Sequence, residues 1–438
     1  MSPGSLWRVF GRAYLGVVDA GHAYYRPVVA ASYALDARWS GVDPRGYHLT
    51  NVLLYALVAA LACELLRALQ MGTAVSLAGG VWLAVHPALV PAVAWIPGRN
   101  DSLLALFALA AWLAFARDAE RPSGAARAAH FAFFGLALFT KETALALPIV
   151  WLAHARLAHR ARLAPYLAGW IALIALRLAA RRLDAPHDAA GGLAAARLFV
   201  GAIGKVALPF EPTTIAAPGD VPLWPGVIAL GALGAAALLV RGARRRVIVL
   251  GAVAFAAPLL PVAALGGSLV LDCRLVLPAC GALVALAEIV RAAVPSARQL
   301  AAGAAAVLAG LAALSAASES ALRSPRAFAL AAVAASPRCA LAHLCLGRSY
   351  QAAGEDDRAL AEYQAALALG PAEVVHNNVA VLWMKRARWE DAERELDAEI
   401  AINPRYARAY ANKAIVLRHE GRPEEAAQAD ARARELGP

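Results

Sequence analysis

Between residues 48 and 317 polar side chains punctuate long apolar runs, a pattern that predicts helices buried on all sides rather than along one stripe. A hydrocarbon layer takes about 20 mainly apolar residues per helix. Such runs lie at 48–66, 74–96, 102–116, 164–180, 223–240, 247–265, 275–290 and 299–317, predicting eight spans. Residues 130–155 are also apolar but are broken by Lys141, Glu142 and Pro148, and read as one charged span or as two short helices in a hairpin. Basic residues cluster at Arg67, at Arg117–Arg127, at Arg156–Arg162, at Arg241–Arg246 and at Arg291 with Arg298. Positive charge collects on cytoplasmic loops, and only the hairpin puts all these clusters on that side. Lys141 and Glu142, the turn at 97–101, a long loop at 183–222, Asp272 and the C-terminal region are then expected on the opposite, outer side.

Near Ser324 the pattern changes to amphipathic helices with a period. Pro337, Pro371, Pro404 and Pro438 are 34, 33 and 34 residues apart. Small and large packing positions recur in that register. They are Leu346, Gly347, Tyr350, Ala359 and Tyr363 in the first unit, Ala380, Trp383 and Ala392 in the second, and Ala414, Leu417 and Ala426 in the third. This resembles the tetratricopeptide repeat (TPR), a helical pair of about 34 residues. Three repeats are predicted, about 337–370, 371–403 and 404–438, with residues 324–336 as a leading cap helix and no long helix capping the last unit. The expected organisation is an outer N-terminal segment 1–47, a polytopic domain 48–323 and a TPR domain 324–438.

Composition agrees with a membrane protein: 61% of the 438 residues are hydrophobic and 17% are charged, against about 25% charged in ordinary soluble domains. The net charge of +11 would suggest nucleic acid if it were spread evenly. Residues 325–438, however, carry 15 Lys and Arg against 16 Asp and Glu, so the excess base lies among the apolar segments. There it serves topology and anionic lipid contact, and nucleic acid is set aside. Five cysteines without a CxxC pair indicate neither a zinc site nor a disulfide framework, and no HExxH or Walker loop occurs. No cofactor is evident, and the sequence leaves open whether a divalent cation takes part. Residues 1–47 lack the pattern of a secretory signal peptide.

Charged groups at membrane depth cost roughly 2.5–3.5 kcal/mol each, so those retained usually face a cavity and have a task. They gather at span ends: Tyr24, Tyr25 and Arg26; His48 and Asn51; His86 and Pro87; Arg99, Asn100 and Asp101; Lys141 and Glu142; Asp272 and Arg274. The segments YYRPVVAASYALD, GYHLTNVLLY, HPALVPAVAWIPGRNDSLLALF and TKETALALP, followed by RLVLP and the repeats, together resemble the transmembrane-and-TPR-containing protein O-mannosyltransferases, a branch of the GT-C glycosyltransferases. The resemblance implies an all-α fold, a polytopic GT-C-like helical domain followed by a TPR α-solenoid. It implies sugar transfer from a polyprenyl-phosphate donor to an acceptor hydroxyl on the lumenal or periplasmic side. The chain begins after the position of the family's first transmembrane helix and of the acidic pair in its first outer loop. RLVLP at 274–278 is one residue shorter than the family's tyrosine-rich pattern.

Such a transfer leaves a lipid phosphate that needs cations, and an attacking hydroxyl that needs a proton acceptor. The expected phosphate contacts are Lys141, Arg99 and Arg274, with Arg26 in reserve. Asp101 or Glu142 is the expected base or metal ligand, and His86 a positioning group; Asp19 and His22 could substitute for the missing carboxylate. Plainer readings exist for the same residues: Lys141 and Glu142 as a mutually neutralised pair, Arg99 and Asp101 as caps of the helix from Ser102, His86 as a helix-end residue. The expected partners are a polyprenyl-phosphate-linked sugar, membrane lipid and a protein or acceptor in the TPR groove. The location is a bacterial-type inner membrane with the repeats in the periplasm. The rival reading is a non-catalytic, membrane-anchored TPR scaffold for envelope assembly.

Overall fold

The computed structural model describes residues 25–158, 163–180, 192–209, 215–217, 219–264, 270–293, 297–370 and 372–436. Asp19, His22, Tyr24, Arg160, Arg162, Pro371 and Pro438 lie outside the described residues. The fold is all-α, with two-residue extended stretches at Ile215–Ala216 and Val270–Leu271. It divides into a membrane unit and a repeat unit; residues 215–220 join the repeat unit, which otherwise starts at Arg323.

The membrane unit opens with α1 (Pro27–Ser40) and α2 (Pro44–Ala68), each with proline in its first turn, where no backbone donor is lost. Residues 74–96, expected to be one span, form α3 (Thr73–Ala84), a 3₁₀ turn at Pro87–Leu89 and α4 (Val90–Ala94), bent by 54°. Pro87 lacks an amide hydrogen and disfavours helical backbone at His86, so the helix breaks there. Next come a turn at Ile96–Gly98 and α5 (Arg99–Glu120).

The 130–155 region is α6 (Gly124–Thr140), a 3₁₀ turn at Glu142–Ala146 and α7 (Leu147–Ala158). Phe134 and Trp151, about equally far from the break, meet edge to face at 4.9 Å, as an antiparallel return requires. α8 (Ala164–Ala180) follows. The expected 183–222 loop contains a helix, α9 (Gly192–Ala207), whose buried face carries Leu198, Gly201 and Lys205. α10 (Trp224–Leu239), α11 (Ala243–Ala256), a turn at Ala257–Leu259 and α12 (Leu260–Ala264) come next. A turn at Asp272–Leu275, α13 (Val276–Ala293) and α14 (Ala297–Glu319) complete the unit.

Among the described residues five helices are long and apolar enough to cross a membrane, six if the bent pair is one span. The expected spans at 164–180 and 223–240 are helices of 17 and 16 described residues, below the about 20 of a typical crossing. The membrane unit's core includes rings that α5 to α8 contribute: Phe115, His130, Phe134, Trp151, Tyr166 and Trp170. His130 is satisfied on both nitrogens, Nδ1 by the Ala111 carbonyl at 3.0 Å and Nε2 by the Trp170 indole N–H at 2.8 Å. This fixes a neutral tautomer in an apolar setting.

In the repeat unit Ser324 caps α15 (Pro325–Ala335) by accepting the Ala327 amide at 3.0 Å. Three helical pairs follow: α16 (Ala340–Ala352) with α17 (Asp356–Ala368), α18 (Val375–Lys385) with α19 (Trp389–Ile402), and α20 (Ala407–His419) with α21 (Pro423–Leu436). The turns within the pairs place Gly354, Ala387 and Gly421 at positive φ. The repeat shows in side chains as well. His343 meets Glu362 at 2.7 Å, and one unit later His376 meets Glu395 at 2.6 Å. Gly347 is small because a Cβ there would lie 2.5 Å from the Tyr363 ring.

Candidate functional site

The polar groups of the membrane unit collect where its helices break. The turn at Glu142–Ala146 ends α6 and exposes Lys141 and Glu142 to different neighbours. Lys141 Nζ donates to Asp101 Oδ1 at 2.6 Å, in the first turn of α5, where a carboxylate also favours the helix dipole. Glu142 takes both Nη2 and Nε of Arg26, at 2.6 and 3.3 Å. Adjacent in sequence, the two residues therefore neutralise partners on other helices, and all four side chains are largely buried.

Arg99 is fully buried two residues before Asp101. Its Nε donates to Asn51 Oδ1 at 2.7 Å and its Nη2 to the Tyr47 carbonyl at 2.8 Å; Nη2 also lies 2.5 Å from Asp36 Oδ2. Its guanidinium stacks 4.5 Å from the Tyr33 ring centre. Asp36 in turn accepts from Thr50 at 2.8 Å. Arg99 thus ties α1, α2 and α5 together.

The turn at Asp272–Leu275 packs against α4 and the start of α5. Asp272 is buried in an ion pair with Lys205 of α9, and Arg274 is half-buried. Cys273 between them lies in the field of both Asp101 and Lys141, which places this turn beside the first pair. His86 sits at the break after α3 with Nε2 2.9 Å from the Val206 carbonyl, next to Lys205, and its Nδ1 is buried without a hydrogen-bond partner. The seven expected site residues therefore lie on connected elements at one end of the unit.

Two cations were not anticipated. Lys205 lay in a segment expected to be loop. Arg177, near the end of α8, donates to the carbonyls of Leu138 and Tyr25 at 3.0 and 3.3 Å, and Glu142 and Arg26 act on it electrostatically. Its Nη1 is buried without a hydrogen-bond partner, a donor aimed inward. An Arg ending an apolar run is the signal that could have found it. Among the described residues no three His, Cys, Asp or Glu side chains gather as metal ligands would.

Fold and site together define a multi-pass helical membrane protein carrying TPR-type repeats, with a buried cluster of crossed ion pairs at its helix breaks. Part of the chain is similar to protein O-mannosyl-transferases of the transmembrane-and-TPR-containing kind. It is 34% identical over 130 residues to protein O-mannosyl-transferase Tmtc1 of Drosophila melanogaster, 30% of this chain and 15% of that protein. It is 38% identical over 94 residues to protein O-mannosyl-transferase tmtc2 of Xenopus laevis, 22% and 11% respectively. It is 30% identical over 100 residues to protein O-mannosyl-transferase TMTC3 of Homo sapiens, 23% and 11%. The chain thus matches only 11 to 15% of the length of these curated relatives. No family model matches it.

Proposed function

We propose that this protein is a GT-C-type glycosyltransferase that moves a sugar from a polyprenyl-phosphate donor to a hydroxyl of a protein acceptor. The reaction takes place on the periplasmic side of a bacterial-type inner membrane, and the repeat domain holds the acceptor or a partner protein. Mannose, the sugar in the relatives' names, is the first to test. The observation that carries this reading is the crossed pairing of Lys141 with Asp101 and of Glu142 with Arg26, with Arg177 beside them. Acidic and basic groups stand side by side in a largely dry setting, where each counts for more than in water.

In the reaction the acceptor oxygen attacks the anomeric carbon, the bond from that carbon to the phosphate oxygen breaks, and the lipid phosphate leaves with the electron pair. Asp101 or Glu142 takes the hydroxyl proton. Lys141, Arg26 and Arg274 balance the charge growing on the phosphate. Arg99, with its donors engaged by Asn51, Tyr47 and Asp36, acts by fixing the start of α5 and hence Asp101. His86, at the Val206 carbonyl, positions the end of α9 that carries Lys205, the partner of Asp272.

A second reading has an observation in its favour: Asp101, Glu142 and Asp272 are each ion-paired, which suits a scaffold whose buried charges only neutralise one another. Turnover of polyprenyl-phosphate mannose by the reconstituted full chain separates the two. Asp101→Ala or Glu142→Ala should cost about 10²- to 10⁴-fold in the variant that loses the base. Lys141→Ala should cost about 10²- to 10³-fold through lost charge stabilisation. Wild-type turnover in all three variants would leave the scaffold.

A further inference from the structure

The arginines at the other end of the membrane unit do more than set topology. A groove of about 570 Å³ runs between α7 and α11, walled by apolar side chains such as Leu152, Val249 and Val253, with Arg156, Arg245 and Arg246 around it. None of its lining residues is acidic. α7 and α11 run antiparallel: the turns that flank them, Glu142–Ala146 and Ala257–Leu259, pack together at one end, while the arginines lie at the other. From Glu142 to Arg156 the chain climbs about 20 Å, so the groove is remote from the ion-pair cluster.

Three consecutive arginines, Arg244 to Arg246, occupy the first turn of α11, and its N-cap, Gly242, supplies no side chain. This is the positive end of the helix dipole, where cations are unfavourable and anions are favoured. Glu288 offsets part of this charge: it is held by Arg291 at 2.8 Å and lies 3.8 Å from Arg244. Arg156, Arg245 and Arg246 are exposed at the mouth of the groove. An apolar trough ending in a ring of guanidinium groups matches one ligand chemistry, a phosphate joined to a hydrocarbon chain.

We propose that this groove is a binding site for an anionic phospholipid. The headgroup phosphate bridges Arg156, Arg245 and Arg246, and an acyl chain lies along Leu152, Val249 and Val253. The site clamps α7 to α11 without touching the reacting groups.

The test is native mass spectrometry of the full chain in detergent with an equimolar mixture of phosphatidylglycerol and phosphatidylcholine. The wild type should retain phosphatidylglycerol preferentially. The triple variant Arg156→Gln, Arg245→Gln, Arg246→Gln should lose about 100-fold in that retention, from the usual contribution of a basic residue near anionic lipid. Ala153→Trp, which fills the groove and leaves every charge in place, should lose it as well. Equal retention of the two lipids by the wild type, or full retention in the triple variant, overturns the proposal. Full retention in Ala153→Trp overturns it too, because the arginines would then attract lipid without seating it. Displacement of the lipid by millimolar inorganic phosphate would mark a free-phosphate site and likewise overturn it. The Ala153→Trp and phosphate arms still decide if the triple variant fails to fold.

Discussion

Arg99 shows how far a residue's type predicts its task. A guanidinium among apolar helices reads as an anion contact, yet here it is sealed between Asp36, Asn51 and the Tyr47 carbonyl. Removing one member of a buried pair strands the other, at a cost of about 3–5 kcal/mol. Arg99→Ala should therefore lower the thermal stability of the detergent-solubilised protein sharply, and Arg99→Met combined with Asp36→Leu should recover most of the loss. A melt of Arg99→Ala that overlays the wild type would deny the pair its structural role. In the repeat unit Glu399 is a buried carboxylate that accepts the amides of Val374 at 2.7 Å and Asn377 at 3.2 Å at the start of α18. Burial outweighs those bonds and raises its pKa above the ordinary 4.5. A raised carboxyl pKa means that the folded state favours the proton, so its contribution to stability is complete below the unfolded value and is lost as pH rises through the folded one. Hydrogen exchange of the α18 amides, corrected for intrinsic rates, should show openings growing with pH through the weakly acidic range. In Glu399→Gln that slope should vanish.

Elements meet where the sequence supplies glycine. In the contact of α11 with α13 a Cβ on Gly281 would lie 2.2 Å from the Phe255 amide nitrogen, and one on Gly251 would lie 2.5 Å from that of Ala285. Backbones approach this closely in membrane helices because small residues permit it, and van der Waals packing rewards it. Gly281→Val should cost at least the 1–3 kcal/mol typical of overpacking and shift the protein to aggregate in size-exclusion chromatography. Gly303→Ala in α14, where a Cβ would meet nothing within 4 Å, should run as wild type. The break at Lys141 was legible from two charges in an apolar run, whereas 74–96 read as one span although Pro87, which lacks an amide hydrogen, bends it at His86. α9 was not legible, since a helix of 16 residues beside a polar stretch gives no span-length signal. Lys205 went unseen with it.

For the molecule as a whole an orientation is expected from the positive-inside rule, because the arginine-rich ends and the helix breaks lie at opposite ends of α5, about 33 Å long for its 22 residues. Gly41→Cys, on the turn between α1 and α2, should react with a membrane-impermeant maleimide from the outer face in intact cells. Ser123→Cys, on the turn before α6, should react only after the membrane is opened. The reverse pattern would invert the orientation read from the basic residues. By itself the sequence determined what depends on local composition: that the chain is a multi-pass helical membrane protein, that a repeat of about 34 residues follows, and that its buried charges cluster at helix ends. Tertiary structure alone decided which charge meets which, crossing Lys141 to Asp101 and Glu142 to Arg26, enclosing Arg99 and bringing Lys205 to Asp272. Such partners are up to 116 residues apart. Pairing at that separation is set by how the helices pack, which no local pattern encodes.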